Sequence, residues 1–326
     1  MKKLVSLFFF ILLAFQTSLV HAQEYKPEYS IWLGDLIKEA IQHGVRPQTA
    51  YNALANVEFD PSIIEKDRKQ PESQITAQQY WKKIITSQRM ERAKSFYNAN
   101  RVLLNQIGDT YGVQPRFLVA ILSIESNFGD VQGEELIIPA LTSLSYDGRR
   151  TAFFKGELFN ALKIIDKGHI TQEEMVGSWA GAMGWCQFMP STFLKYAVDF
   201  DGDGRTDIWH SVADAAASAA NYMHEIGWRS NETWGRQVRL TKPVPEEFMG
   251  RDVRRPISEW AAMGVRAMNG KALPENKNME ASLITPDGSD GVSFLVYNNF
   301  NVIMQWNKST YFATSIGMIA DKLGNK

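Results

Sequence analysis

Cysteine is nearly absent: Cys186 is the only one in 326 residues. An intramolecular disulfide framework is excluded, and so is a zinc site built on cysteine ligands. A lone thiol of this kind reads as a small buried hydrophobe. An excess of charge of either sign is also missing. Lys and Arg total 35 against 36 Asp and Glu, a net charge of −1. That rules against the broad basic surface that nucleic-acid binding draws on. There is no internal repeat and no low-complexity tract. What remains is ordinary globular composition, 44% hydrophobic and 12% aromatic, long enough for a full core and two or three substructures. The aromatics suit stacking on sugar faces and suit large cores equally well.

One run departs from this average texture. "MKKLVSLFFFILLAFQTSLVHAQ" carries Lys2 and Lys3, an apolar stretch from Leu4 to Phe15, and Val20-His21-Ala22 as a small-residue cleavage pattern. It reads as a secretory signal peptide over residues 1–22, too short for a comfortable membrane span. The alternative is an uncleaved anchor. No cysteine lies near the cleavage pattern, which excludes a lipid-modified N-terminus. The expected mature protein is exported, soluble and without a transmembrane segment.

Along the rest of the chain most segments have helical spacing. "SIWLGDLIKEAIQHG" sets Leu33, Leu36, Ile37, Ala40 and Ile41 on one face, with Ser30 as N-cap and Gly44 as stop. Pro47 opens a second helix. Residues 58–76, polar and proline-containing, read as an extended connection, and Ala77–Tyr111 as a long helical stretch broken by "YGVQP". "FFKGELFNALKIID" aligns Phe154, Leu158, Leu162 and Ile165, and "SVADAAASAANYMHEIG" is a helix opened by Ser211 and Asp214 in capping-box spacing. From about Arg236 the texture changes. "RQVRLTKPVP" alternates like a strand, "ISEWAAMGV" is a short helix, and "ASLITPDGSDGVSFLVYN" is two strands around a Gly/Asp turn. Helical spacing returns at Ser309–Leu323. The expected fold class is mainly α (α+β), a mostly helical body with a small β-containing insertion at 236–298.

Two stretches carry chemistry. In "LVAILSIESNFGD" (Leu118–Asp130) a single glutamate, Glu125, follows an apolar run. On a helix from Pro115, Leu118, Ile121 and Leu122 share its face. A carboxyl group there is partly desolvated, and burial without a cation raises its pKa, so it stays protonated near neutral pH and can donate to a leaving oxygen. Ser126, Asn127 and Gly129 end the helix and set Glu125 at the lip of a cleft. The alternative is a helix-end glutamate pointing at solvent. In "DFDGDGRTDIWHSVAD", Asp199, Asp201, Asp203 and Gly204 have the D-x-D-x-D-G spacing of an EF-hand loop, with the Arg205 carbonyl at the seventh position. The twelfth position is His210, where a standard loop has a bidentate glutamate. Asp207 is a further candidate ligand. Three aspartates this dense repel one another without a cation.

"AILSIESNFG", followed by "GSWAGAMGWCQFMPSTFLKYAVDFDGDGRTDIW", closely resembles the lytic murein transglycosylase B family, enzymes that cleave bacterial peptidoglycan. The likeness extends through "LIKEAIQHGV", "FFKGELFNAL", "AANY" and "NNFNVIMQWNKSTYFA". It implies a lysozyme-like helical core with a second helical part and a small β part. The expected division is 23–110 for an N-terminal helical part, 111–235 for the catalytic core with its loop at 199–214, 236–298 for the insertion, and 299–326 for a helical segment packing on the core. The resemblance also implies a periplasmic enzyme acting on peptidoglycan glycan strands, with Glu125 as its catalytic acid.

Such an enzyme works with one carboxyl group where ordinary glycosidases need two. Glu125 protonates the glycosidic oxygen, then takes the proton of the muramyl C6 hydroxyl, which closes a 1,6-anhydro ring with the high effective concentration of an internal nucleophile. By resemblance Ser178 and Gln187 lie in the cleft, Ser178 on the acid or the acetamido group and Gln187 on sugar. Tyr222 lines the site or packs in the core. Trp306 replaces a tyrosine common in the family, Asn307 is kept, and Phe312 stands where some members have another tyrosine. Cys186 takes a position often held by glycine, implying a bulkier cleft wall. The family's longer loop variant makes Asp214 the closing ligand of a structural Ca²⁺ or Na⁺, although Asp214 also suits the cap of Ser211. No organic cofactor is implied. Two other functions stand beside this one. A lysozyme-type hydrolase needs a second carboxylate, and Glu157 and Asp147, nearest in sequence, read as surface or structural groups. A catalytically silent glycan-binding protein is disfavoured by the retention of Glu125.

Overall fold

The computed structural model describes residues 27–69, 75–274, 279–288 and 291–324; the signal-peptide reading over 1–22 lies outside them. The chain begins with helices α1 (Pro27–Gln42), α2 (Pro47–Leu54), α3 (Pro61–Arg68), α4 (Ala77–Ile84), α5 (Ser87–Ala99), α6 (Arg101–Tyr111) and α7 (Pro115–Glu125). Helix α1 starts at Pro27, so Ser30 lies inside its first turns and is not the N-cap. Helix α3 occupies part of the stretch expected to be extended. Asp60 caps it, accepting from Ser62 N at 2.8 Å, Pro61 takes the first position, and Ile63 and Ile64 reach the core. The expected long helix over 77–111 is three helices. Thr86 interrupts it by capping α5, its Oγ1 accepting from Arg89 N at 3.1 Å. Asn100 interrupts it again, its side-chain amide donating to Phe96 O at 3.0 Å. Short polar side chains that compete for backbone groups do this.

Helix α7 is apolar on all sides: every residue from Phe117 to Ser123 is buried. Burying each large side chain contributes about 1.5–3 kcal/mol, against a propensity cost of at most about 0.7 kcal/mol for a β-branched residue. Packing therefore holds this helix. Around it run α5, α6, α11 (Val212–Glu225) and α14 (Thr310–Leu323). Between α7 and α11 the chain forms the two-residue strand β1 (Glu135–Leu136), helices α8 (Ile137–Asp147) and α9 (Thr151–Asp166), strand β2 (Val176–Gly177), which pairs antiparallel with β1, and α10 (Pro190–Tyr196).

The remainder forms an antiparallel sheet from β3 (Gly235–Leu240), β4 (Arg255–Pro256), β5 (Val265–Ala267), β6 (Glu280–Ile284) and β7 (Ser293–Val296), in the order β4-β6-β7-β3-β5, with α12 (Ile257–Ala262) beside it. Its central strands are buried on both faces. Ile284, Phe294 and Val296 join the helical core, while Ala281, Leu283 and Leu295 join a second cluster with Val238, Trp260 and Val265. Phe294 meets Trp81 of α4 edge-on at 5.6 Å, and the Trp81 indole donates to Thr314 of α14 at 2.9 Å. Trp234 lies against Gly317, where an added Cβ would come within 2.1 Å of its ring. Helix α13 (Asn298–Trp306) then leads through Ser309, which caps α14 by accepting from Phe312 N, back along α7. Among the described residues no helix is long and apolar enough to cross a membrane.

Candidate active site

Glu125 is the last residue of α7, and the chain beyond it is unusually constrained. Asn127 (φ 51°), Phe128 (φ 62°) and Gly129 (φ 84°) are successively left-handed. Non-glycine residues rarely adopt that conformation, and it persists where surrounding contacts impose it. Here Phe128 N donates to Leu122 O at 3.0 Å, and Phe128 stacks on Phe96 of α5 at 4.4 Å. The Ser126 hydroxyl donates to Trp185 O at 2.9 Å and accepts from Gly129 N at 3.0 Å. Gly129 is required sterically as well, because a Cβ there would lie 2.2 Å from the Trp185 ring. Among the described residues the one other non-glycine with positive φ is Gln187, at 49°, in the facing loop. All three strained positions belong to the two loops of this site.

The Glu125 side chain is half-buried against Leu118, Ile121 and Leu122, which are fully buried. Although a small opening to solvent remains, protein surrounds the carboxyl group closely. Burial therefore pushes its pKa up to about 7, partly offset by one hydrogen bond, from Trp306 Nε1 to Oε1 at 2.7 Å. The expectation of a desolvated carboxyl without a paired cation holds. Arg89 of α5 donates to the carbonyls of Ile84 and Ser123.

Trp306 ends α13 in a cluster of rings. It lies 5.3 Å from Phe188 and 5.1 Å from Tyr222, and Tyr222 meets Tyr196 at 4.7 Å. The Tyr222 hydroxyl donates to Gln305 O at 3.3 Å. Beyond these rings opens a cavity of about 860 Å³ bordered by Tyr196, Tyr222, Lys195, Arg251 and Lys308. Tyr222 thus packs in a ring cluster and also borders open space.

The structure treats the other expected site residues differently. The Ser178 hydroxyl accepts from Ala182 N at 3.0 Å and closes its own loop, and it has no bond to Glu125. Gln187 donates its amide to Gln132 O and Gly184 O, both at 2.9 Å, so its N–H groups lock the loop and are not presented to a ligand. Asn307 is exposed at the end of α13, its Oδ1 accepting from Ser309 N. Phe312 is buried. Cys186 is fully buried and donates to Ala215 O of α11 at 3.0 Å. Burial, then the nearby Glu125 charge, pushes its thiol pKa up. Glu157 is buried and not a surface group, and it accepts from Ser191 N and Oγ at the start of α10. Asp147 pairs with Arg68 at 2.7 Å. Neither carboxylate is left over for a second catalytic role.

Sequence reasoning missed the Trp306–Glu125 bond and Tyr80 of α4. Burial and then the Glu125 charge raise the Tyr80 pKa, so this phenol lies within the field of the acid. Nothing in the local pattern separates Tyr80 from an ordinary core aromatic.

In the acidic loop, Asp199, Asp201 and Asp203 bring carboxylate oxygens within 4.8 Å of one another. Two oxygens on opposite sides of a calcium ion, each at about 2.3–2.6 Å, are about 5 Å apart, so this hard-oxygen donor set fits the ion. Asp214 is not brought into that group. It is buried under the loop, its two oxygens accepting from Phe200 N at 2.8 Å and Asp207 N at 2.7 Å. Desolvation, offset by those bonds, raises its pKa. It ties the two ends of the loop together. Ser211 does cap α11, accepting from Asp214 N at 3.2 Å, and its hydroxyl donates to Asp201 at 2.9 Å. Arg205 directs its guanidinium to His169 O, and His210 contacts Asp207 at 3.1 Å. The far end of the loop supports the catalytic side: Trp185 donates from its backbone to Ile208 O at 2.9 Å and from its indole to Trp209 O at 2.8 Å.

Comparison with known proteins gives consistent relatives. The family model described as "Transglycosylase SLT domain" matches residues 28–321. The chain is 34% identical over 239 residues to the membrane-bound lytic murein transglycosylase B of Escherichia coli K12, a match over 73% of this chain and 64% of that protein. The chain therefore spans somewhat less than two thirds of that curated relative. It is similar to SltB3 from Pseudomonas aeruginosa in complex with NAG-anhNAM-pentapeptide, with TM-score 0.88 and 38% identity over 90% of this chain and 79% of that one. It is also similar to the Escherichia coli lytic transglycosylase Slt35 in complex with calcium, with TM-score 0.76 and 30% identity over 89% of this chain and 92% of that one.

Proposed function

This chain belongs to the transglycosylase SLT domain family, and on that premise we propose that it is a peptidoglycan lytic transglycosylase with Glu125 as its one general acid and base. The observation that carries this reading is a lone carboxyl group, held by burial at a pKa of about 7, with no second uncommitted carboxylate among its expected partners. An acid poised near neutral pH can give a proton in one step and take one back in the next.

The reaction follows from that economy. Protonated Glu125 gives its proton to the oxygen between N-acetylmuramic acid and N-acetylglucosamine, and the C1–O bond breaks. The cationic centre at C1, oxocarbenium-like or bridged by the acetamido oxygen, is then attacked by the C6 hydroxyl of the same muramyl residue. The Glu125 carboxylate accepts that hydroxyl's proton, and the ring closes as the 1,6-anhydro product. No water enters. The anhydro sugar named in the SltB3 complex supports this outcome.

The ring faces of Tyr222 and Trp306 and the exposed amide of Asn307 are proposed to border the glycan. Ser178 and Gln187 shape the loop opposite, contributing backbone position more than side-chain contacts. Asp199, Asp201 and Asp203, with the Arg205 carbonyl, would hold a calcium ion, or a weaker ion such as sodium. Calcium in the Slt35 complex supports that choice. The ion's contribution is structural, rigidifying the loop that carries Ile208 and Trp209 under Trp185. Residues 23–110, 111–235, 236–298 and 299–326 form the proposed division. Export to the periplasm by cleavage of residues 1–22 is proposed from their composition.

Digestion of purified murein with mass analysis tests the function. Anhydromuramyl ends, lighter than reducing ends by one water, are expected. Reducing ends would replace this reading with hydrolysis, and binding without cleavage would replace it with a silent glycan-binding protein.

A further inference from the structure

Trp306 was expected to offer a ring to sugar, yet its indole N–H is aimed at the acid. The ring packs against Phe188 and Tyr222, which also meet each other at 5.7 Å, and Tyr222 is itself held by Tyr196 and by Gln305 O. So fixed, the N–H has one direction, into Glu125 Oε1 at 2.7 Å. The other groups facing the carboxyl from packed elements are Tyr80 on α4, which feels its charge, and the buried Cys186 thiol, whose own bond goes to Ala215 O. Arg89 on α5 interacts with Tyr80 through its charge and donates to the carbonyls of Ile84 and Ser123.

An indole nitrogen can donate and cannot accept. Oε1 is therefore held as an acceptor in both protonation states. We propose that Trp306 is the positioning residue of the catalytic carboxyl group: it confines the transferred proton to Oε2 and selectively stabilises the carboxylate left when that proton goes to the glycosidic oxygen. A bond to a charged acceptor is stronger than one to a neutral acceptor, so the stabilisation grows as the proton leaves and shrinks as it returns from the C6 hydroxyl. A tyrosine hydroxyl, which donates or accepts, can reverse its bond as the acid changes state; tryptophan cannot. The inference rests on the transglycosylase reading.

The test is the pH profile of anhydromuropeptide release by Trp306→Phe, which keeps a ring against Phe188 and Tyr222 and removes the donor. Loss of a bond that favours the ionised form raises the acid's pKa. The alkaline limb of kcat/KM is expected to move up by about one pH unit, the scale set by one charge-assisted hydrogen bond. A carbon-13 titration of the Glu125 carboxyl should move by the same amount. A lower rate with limb and titration both at the wild-type pH would mean a merely structural ring and would overturn the proposal. If Trp306→Phe does not fold, Trp306→Tyr decides: a smaller upward movement is expected, and none overturns it. Wild-type anhydro products together with an inert Glu125→Gln keep the reaction assignment intact whatever the Trp306 variants do, so the two ideas fail separately.

Discussion

Glu125→Gln should stop cleavage and, above neutral pH, stabilise the protein. The cost of burying the charge sets the magnitude. Burial moves the carboxyl from its ordinary 4.5 to about 7, and each pH unit corresponds to about 1.4 kcal/mol. The fold keeps its proton at pH values where the unfolded chain has already lost it. Stability contributed by this group is therefore full below 4.5, falls as pH rises towards 7, and is level above. The full difference is about 3 kcal/mol, and the carboxyl's remaining opening to solvent trims it to roughly 2 kcal/mol. Glutamine never ionises, still accepts from Trp306 through its amide oxygen, and escapes the penalty. Melting at pH 8 should then be higher for the variant by several degrees, roughly 2–4 °C per kcal/mol at most in a chain of this size, while at pH 4.5 the two proteins should melt together. Urea unfolding across that range, with product analysis on murein, measures both effects. Equal stability at pH 8, or a gap independent of pH, would show that the carboxyl is not desolvated and would remove the basis for its acid role.

Three further outcomes are expected. Asp201→Ala or Asp203→Ala should abolish the rise in melting temperature that calcium gives the wild type over chelator; an undiminished response in both variants would dismiss the acidic loop as the ion site. Glu157→Gln should lose about 1 kcal/mol, the scale of a helix-end hydrogen bond, and keep making anhydro products, whereas complete loss of cleavage in folded protein would revive a two-carboxylate mechanism. Gly129→Ala should lose about 1–3 kcal/mol, from positive φ and from a Cβ within 2.2 Å of the Trp185 ring, and cleavage should weaken as the Glu125 turn shifts; wild-type melting would show that the turn relaxes freely.

Local signals in the sequence carried much of the fold and failed where a signal was ambiguous or distant. Pro115 and the apolar run after it announced α7, and alternation announced β3, β6 and β7. The breaks at Thr86 and Asn100 were hidden because the helical spacing on both sides continues through them. Helix α3 was hidden because only Ile63 and Ile64 mark its inner face, although Asp60-Pro61 is a legible start. In the site, Glu125 was legible from its neighbours and from family likeness. Its bond to Trp306 spans 181 residues and has no local trace. Ser211 caps α11 through the Asp214 backbone N–H, while the Asp214 carboxylate, expected as the other half of a capping box, accepts instead from two backbone amides of the acidic loop. Gln187 was expected to reach sugar, but on its left-handed backbone the amide N–H groups turn to Gln132 O and Gly184 O.

The sheet with two greasy faces makes the molecule hard to divide. A chain stopped before α13 would lack the indole that holds the acid and the helix that lies along α7, and would leave the sheet face of Ile284, Phe294 and Val296 less covered. An apolar face so exposed favours sticking to other copies. Because Trp81 must find Thr314, 233 residues later, closing the core waits on very distant partners, which slows folding. Shortened versions of this protein should therefore clump in preference to working at reduced rate.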